Sequence, residues 1–140
     1  MGKVVVSSSI QKTLAAGKKF AQKLKPGSVV ALEGSLGSGK TAFIKGIALG
    51  LGLKDPDEVT SPTFTLMHVY PTRPVLYHFD LYRLETKKEI LDIGFEEFVN
   101  DSRAITCIEW ARKAEAFLPP GTLHVRMQIA GSRSRRIRLP

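Results

Sequence analysis

The chain has 140 residues, 43% of them hydrophobic and 24% charged, with 21 Lys and Arg against 13 Asp and Glu for a net charge of +8. That length predicts one domain with a real core, and no apolar run approaches the roughly 20 residues of a membrane helix. A single cysteine, Cys107, excludes an internal disulfide and a cysteine-based zinc site; the run Val4-Val5-Val6 is too short for a signal peptide, so a cytoplasmic protein is expected.

Ile10, Leu14, Ala15, Phe20, Ala21 and Leu24 recur at helical spacing and predict an amphipathic helix over 10–24, with Ser9 as N-cap and Pro26-Gly27 as its stop. Residues 28–33 read as a buried strand. That strand runs into Gly34-Ser35-Leu36-Gly37-Ser38-Gly39-Lys40-Thr41, which fits G-x-x-x-x-G-K-[ST]. A helix follows from Lys40 to Gly50 or Gly52, then a loop over 54–58. Residues 63–70 predict a strand, 71–74 a turn, and 75–79 the partner strand of a hairpin. Short helices are expected over 85–93 and 95–99, divided by Gly94. Residues 103–109 read as a second buried strand and 111–117 as a short helix stopped by Pro119-Pro120-Gly121. A closing hairpin over 123–129 and 135–139 turns around Gly131-Ser132. Strand–helix units mixed with hairpins predict an α/β fold with a mixed, partly parallel sheet flanked by helices.

The octapeptide carries chemistry because of its strand–turn–helix context. Its glycines let successive backbone N–H groups turn inward, and the helix dipole adds positive potential where phosphates would lie. Gly34, Ser35, Leu36, Gly37, Ser38, Gly39, Lys40, Thr41 and Ala42 are therefore the expected phosphate-binding residues. Lys40 offers a point charge to β- and γ-phosphates, and the Thr41 hydroxyl is a candidate Mg²⁺ ligand. A nucleoside triphosphate is the expected ligand.

Hydrolysis also needs a carboxylate near the metal and a group that positions water. Glu109 follows Ile105-Thr106-Cys107-Ile108, at the carboxyl end of a predicted strand, and reads as a metal-site acid or as a helix N-cap. Asp80 ends Leu76-Tyr77-His78-Phe79; it could hold Mg²⁺, orient water or pair with Arg83. Lys40, Asp80 and Glu109 are thus the catalytic candidates, and Thr41, Asp80 and Glu109 the metal candidates. Thr60-Ser61-Pro62-Thr63-Phe64 reads as a γ-phosphate-sensing switch segment or as an ordinary Ser-Pro turn. His78 reads as a packed histidine rather than a base, Trp110 as core packing or, beside Glu109, as packing near the nucleotide, and His68 and His124 carry no partner signal.

Arg133, Arg135, Arg136 and Arg138 crowd the C-terminus, and Lys18, Lys19, Lys23 and Lys25 cluster on the first predicted helix. Such a balance suits a polyanionic partner such as RNA, or the nucleotide itself. The alternative is a solvated helix face plus an edge strand protected by charge. No aromatic residue interleaves the terminal arginines, so base stacking is not expected there.

Four segments taken together resemble one family: Leu32-Glu33 with the octapeptide, Thr60 through Phe64, His78-Phe79-Asp80-Leu81-Tyr82-Arg83-Leu84, and Ile108-Glu109-Trp110. Over roughly residues 9–139 the chain is similar to the TsaE (YjeE) family, small bacterial ATPases of tRNA threonylcarbamoyladenosine biosynthesis. The resemblance implies a single P-loop NTPase domain over 1–140, with ATP and Mg²⁺ as cofactors. It implies an ATPase that is slow alone and is not itself the transferase. Its implied partners are TsaD and TsaB, which transfer a threonylcarbamoyl group to adenosine 37 of tRNAs reading ANN codons. tRNA would be met indirectly, with the basic C-terminal hairpin as the surface open to it. The resemblance further implies that Lys40 and Thr41 bind phosphate and Mg²⁺ and that Glu109 is the metal-site acid. Asp80 would belong to the same centre, residues 60–64 would form the switch-like loop, and Arg135 would contact ATP.

Three positions depart from the family pattern. Ser35 stands where Asp is usual, Ser38 where a small residue, commonly alanine, is usual, and Ala111-Arg112 where an acid often follows I-E-W. The first two are variable loop positions that leave phosphate binding intact; the third changes the charge beside the metal site. Two other readings of the residues are a small-molecule kinase and a nucleotide-switched RNA-binding module. The segment 85–101 does not look like the arginine-bearing lid of such a kinase.

Overall fold

A computed structural model describes residues 2–140. In chain order the elements are β1 (Lys3–Ser7), α1 (Ile10–Ala21), β2 (Val29–Glu33), α2 (Lys40–Gly50), β3 (Met67–Tyr70) and β4 (Leu76–Asp80). There follow α3 (Lys87–Asp92), α4 (Phe95–Val99), β5 (Ile105–Glu109), β6 (Leu123–Ile129) and β7 (Arg135–Leu139), with short 3₁₀ stretches at Pro56–Glu58 and Ala111–Phe117. The strands form one sheet in the order β1-β7-β6-β2-β5-β4-β3. β2 runs parallel to both β5 and β6, and β4 runs parallel to β5. The flanking pairs β1–β7, β6–β7 and β3–β4 are antiparallel, so the sheet is mixed, as the sequence pattern predicts.

The two central strands, Val-Val-Ala-Leu-Glu and Ile-Thr-Cys-Ile-Glu, are buried almost throughout, because helices cover both faces of the parallel part. On one face Phe20, Phe43, Ile44 and Ile47 of α1 and α2 pack against Leu32, Val125, Met127 and Ile137. On the other, Ile90, Phe95 and Val99 pack against Ala31, Phe79 and Ile108. Burial shields the Cys107 thiol and pushes its pKa upward, an inert state.

Ser9 caps α1 by accepting from the Lys12 amide, while Lys18 and Lys19 complement the dipole in its last turn. Thr86 and Glu89 form a reciprocal capping box, which starts α3 at Lys87 rather than at residue 85. α1 and α2 approach closely through two glycines. A Cβ on Gly46 would lie 2.1 Å from the Leu14 carbonyl oxygen, and one on Gly17 would lie 2.1 Å from that of Phe43. Backbone cannot yield as a flexible side chain does. Gly46→Ala is therefore expected to cost about 1–3 kcal/mol in urea unfolding, and an unchanged midpoint would show that the helix pair has slack.

α1 ends at Ala21 rather than at residue 24, and three further elements differ from the sequence reading. The Val4-Val5-Val6 run is a strand, β1, paired along its length with β7. β7 therefore lies inside the sheet and β1 and β3 form its edges, which overturns the reading of the terminal arginines as edge protection. The strand expected over 63–70 begins only at Met67. Residues 63–65 form a turn, with Leu66 at φ 71° donating its amide to the Pro62 carbonyl. Asp80 draws the hydroxyls of Ser61 and Thr63 toward itself, and that hold replaces strand pairing in this segment. Among the described residues no helix is long and apolar enough to cross a membrane.

Candidate functional site

The octapeptide links the carboxyl end of β2 to the first turn of α2, as its pattern predicts. Gly34 sits where only glycine fits: a Cβ there would lie 2.5 Å from Ser38 Oγ and 2.6 Å from the Met127 carbonyl oxygen. Gly37 and Gly39 adopt positive φ, 78° and 99°, which folds the loop into a concave run of backbone amides above α2. Ser38 Oγ is buried with no hydrogen-bond partner among the described residues. Lys40 is buried, its Nζ donating to the Gly34 carbonyl and standing 3.8 Å from the centroid of the Trp110 ring. Burial lowers the Lys40 pKa, and Glu109, Glu33 and Asp80 push it back up.

The two candidate acids end adjacent parallel strands, and Asp80 and Glu109 are register partners on β4 and β5. Both carboxylate oxygens of Glu109 lie 3.3 Å from Thr41 Oγ1, and Oε2 lies 2.6 Å from His78 Nε2. An ionised carboxylate only accepts, so the His78 proton on that bond sits at Nε2; Nδ1 is buried without a partner among the described residues. Glu109 does not cap the following 3₁₀ stretch, whose cap position is Trp110 with no side-chain bond.

Asp80 ties the hydroxyl-rich loop to this centre. Its Oδ2 accepts from Ser61 Oγ at 2.9 Å and Thr63 Oγ1 at 2.7 Å, and its Oδ1 accepts from the Tyr82 amide at 2.9 Å. Arg83 does not pair with it. The Arg83 guanidinium lies over the exposed ring of Phe64 instead, 5.2 Å from its centroid, so the ion-pair reading of Asp80 is corrected.

Residues 35–42 with Ser61, Thr63, Asp80 and Glu109 line a cleft of about 740 Å³, within the size range of small-ligand sites. Ser9 and Ile10 at the start of α1 form one wall, and Tyr82, Trp110 and Arg135 form others. Arg135 lines the cleft, its Nε donating to Gly37 O at 3.0 Å and its Nη1 to Gly131 O and Ser134 O at 3.2 and 3.0 Å.

His78, through its bond to Glu109, and Trp110, which lines the cleft, belong to the site although the sequence pattern favours core packing for both. For His78 the available signal is its place two residues before Asp80, on the same face of the same strand. For Trp110 the signal is adjacency to Glu109. Its backbone sits in the left-handed region at φ 58°, unusual for a bulky residue, which turns the chain sharply off β5 and sets the ring beside Lys40.

Among the described residues no group of three or more His, Cys, Asp or Glu side chains is placed to hold a metal ion. The Thr41 hydroxyl and Glu109 carboxylate instead present hard oxygen donors, the kind Mg²⁺ takes together with phosphate and water.

A family model described as "Threonylcarbamoyl adenosine biosynthesis protein TsaE" matches residues 7–137. The chain belongs to the TsaE family. A tRNA threonylcarbamoyladenosine biosynthesis protein TsaE of Treponema pallidum is 42% identical over 132 residues, covering 94% of this chain and 96% of the relative. The corresponding Bacillus subtilis TsaE is 41% identical over 128 residues, covering 91% and 78% of the two chains. The crystal structure of Bacillus subtilis YdiB superposes with a TM-score of 0.80 at 33% identity, covering 99% of this TsaE-family chain and 84% of YdiB.

Proposed function

We propose that this TsaE-family chain binds and hydrolyses ATP with Mg²⁺ in the cleft over Gly34 to Thr41. The work serves threonylcarbamoyladenosine formation at adenosine 37 of tRNAs reading ANN codons. TsaD and TsaB are the partners, and this chain is not itself the transferase. One observation carries the reading: the loop, the Thr41–Glu109 pair and Asp80 converge on one cleft at the carboxyl ends of β2, β4 and β5.

Each residue then has a role set by its chemistry. The loop amides and Lys40 offset negative charge on the β- and γ-phosphates, the largest contribution a site of this kind makes. Thr41 and Glu109 would hold the metal, which would supply positive charge to offset that of the phosphates. Asp80 orients the attacking water or, through Ser61 and Thr63, couples residues 60–64 to the γ-phosphate. Arg135 is tied to three carbonyls through Nε and Nη1, which limits what it can offer the transition state, so the chain alone turns over slowly.

His78 positions Glu109 from behind. Replacing it with Ala is expected to weaken Mg²⁺ dependence of turnover about 10- to 100-fold while ATP affinity without metal stays near wild type. A Mg²⁺ titration unchanged in His78→Ala would assign the histidine to packing alone. The functional reading itself is tested by omission. Purified TsaB, TsaD, tRNA and the threonylcarbamoyl donor should modify tRNA over repeated turnovers only when this chain and ATP are added. Modification that ignores both would overturn it.

A further inference from the structure

The sheet is covered unevenly. α1 and α2 lie under β1, β7, β6 and β2 on one face, but α3, α4 and the 3₁₀ stretch at Ala111–Phe117 pack over only the β2-β5-β4 part of the other. Strand alternation therefore leaves the outer face of β1-β7-β6 in solvent. It carries Val4 and Val6 of β1, Arg136 and Arg138 of β7, and Arg126 and Gln128 of β6, all exposed.

Register makes this face strongly basic. Arg126 and Arg138 are direct cross-strand partners, and Arg136, paired with Gln128, lies two residues along. Like charges placed directly opposite each other destabilise a sheet. The sole acid in register, Glu33 beside Arg126, accepts from the Arg112 amide, and none of the three arginines forms an ion pair among the described residues. Edge protection does not account for them, because β6 and β7 are interior strands and the edge strand presents valines.

We infer that the outer face of β1-β7-β6 docks the phosphate backbone of a folded RNA through Arg126, Arg136 and Arg138. Charge complementarity carries this occupant. Residues two apart on a strand stand about 6.6 Å apart, comparable to successive phosphates along a nucleic-acid strand, and guanidinium groups bind phosphate oxygens in pairs. The face carries no Phe, Tyr or Trp, and its one ring is the exposed imidazole of His124 two residues before Arg126, so backbone contact dominates and binding is sequence-independent and steep in salt. Two valines offer too little apolar projection to insert into a lipid surface, and Gln128 suits a phosphate or a ribose hydroxyl. The choice of RNA over other polyanions rests on the proposed tRNA role.

The test compares two charge-matched variants of the full chain. Arg126→Gln with Arg136→Gln and Arg138→Gln removes the face; Lys18→Gln with Lys19→Gln and Lys23→Gln removes the same charge from the end of α1 and the turn that follows it. An unmodified, fluorescently labelled tRNA transcript is titrated by anisotropy across a salt series. The arginine variant should bind on the order of 10- to 100-fold more weakly and with a log–log salt slope shallower by about 2 to 3, against a change within about 2-fold for the lysine variant. Its ATP turnover should match wild type, and its melting temperature should be equal or higher because the cross-strand repulsion is gone. If the triple variant misfolds, Arg126→Gln and Arg138→Gln are tested singly, each flattening the slope by about 0.7 to 0.9.

Equal losses in both triple variants would reduce the effect to net charge and overturn the inference. So would unaltered binding in the arginine variant, or anionic phosphatidylserine vesicles outcompeting the tRNA. Wild-type tRNA modification with TsaB and TsaD runs in parallel. Normal modification with an unaltered salt slope in the arginine variant sinks the surface alone, whereas failed wild-type modification sinks the functional reading and leaves the RNA titration standing.

Discussion

Lys40→Ala is expected to lower ATP turnover on the order of 100- to 1000-fold, the cost of losing one preorganised donor at a site of developing charge. The other cations lining the cleft are Arg133 and Arg135, and Arg135 is held by the carbonyls of Gly37, Gly131 and Ser134. The variant should stay folded, because burial already disfavours the Lys40 ammonium and its removal relieves that desolvation. Phosphate release measures the rate. Intrinsic fluorescence measures the geometry, since Trp110 is the chain's single tryptophan and lies under the Lys40 ammonium. ATP should draw the ammonium off the ring and change the emission of the wild type, and this response should be lost in Lys40→Ala. A residual rate within about 3-fold of wild type would remove Lys40 from the phosphate-binding role.

Glu109→Gln should be nearly as damaging, lowering kcat about 100-fold and flattening its dependence on Mg²⁺ concentration. The amide keeps the volume and one acceptor for His78 but loses the charge that Thr41 and the metal would share. Asp80→Asn is a different lesion. It weakens the hold on Ser61 and Thr63, so its main effect should fall on the response to γ-phosphate rather than on metal affinity. Mg²⁺ titrations of the two variants separate the roles. Full activity and intact Mg²⁺ dependence in Glu109→Gln would move the metal site toward Asp80.

The departures from the family pattern have uneven structural meaning. Ser35 lines the cleft, and the buried Ser38 hydroxyl adds a polar group beside Gly34. Arg112 uses its backbone amide to bind Glu33, while its side chain stays exposed beyond the cleft. The cation that replaces an acid after I-E-W therefore alters the surface near the site more than the site itself.

Local chemistry made the strand–turn–helix geometry of the glycine-rich loop, the strand-end position of both carboxylates and the α/β class legible from the residues alone. A glycine needed for a left-handed turn, an apolar run followed by an acid, and a Ser capping an amphipathic helix each act within one short segment, so each leaves its mark in contiguous sequence. Register was not legible. It is set by pairing between distant segments, and only the folded sheet shows that His78 backs Glu109, that Asp80 holds the hydroxyls of Ser61 and Thr63, and that Val4 to Val6 is an edge strand. The same pairing turned the terminal arginines from a charge run into two faces of β7: Arg135 lines the cleft over residues 35–42, while Arg136 and Arg138 lie on the open face with Arg126. The chain's order of residues determined which ligand the loop suits; the alternation and pairing of strands decided which side chains stand around it and which are left facing solvent.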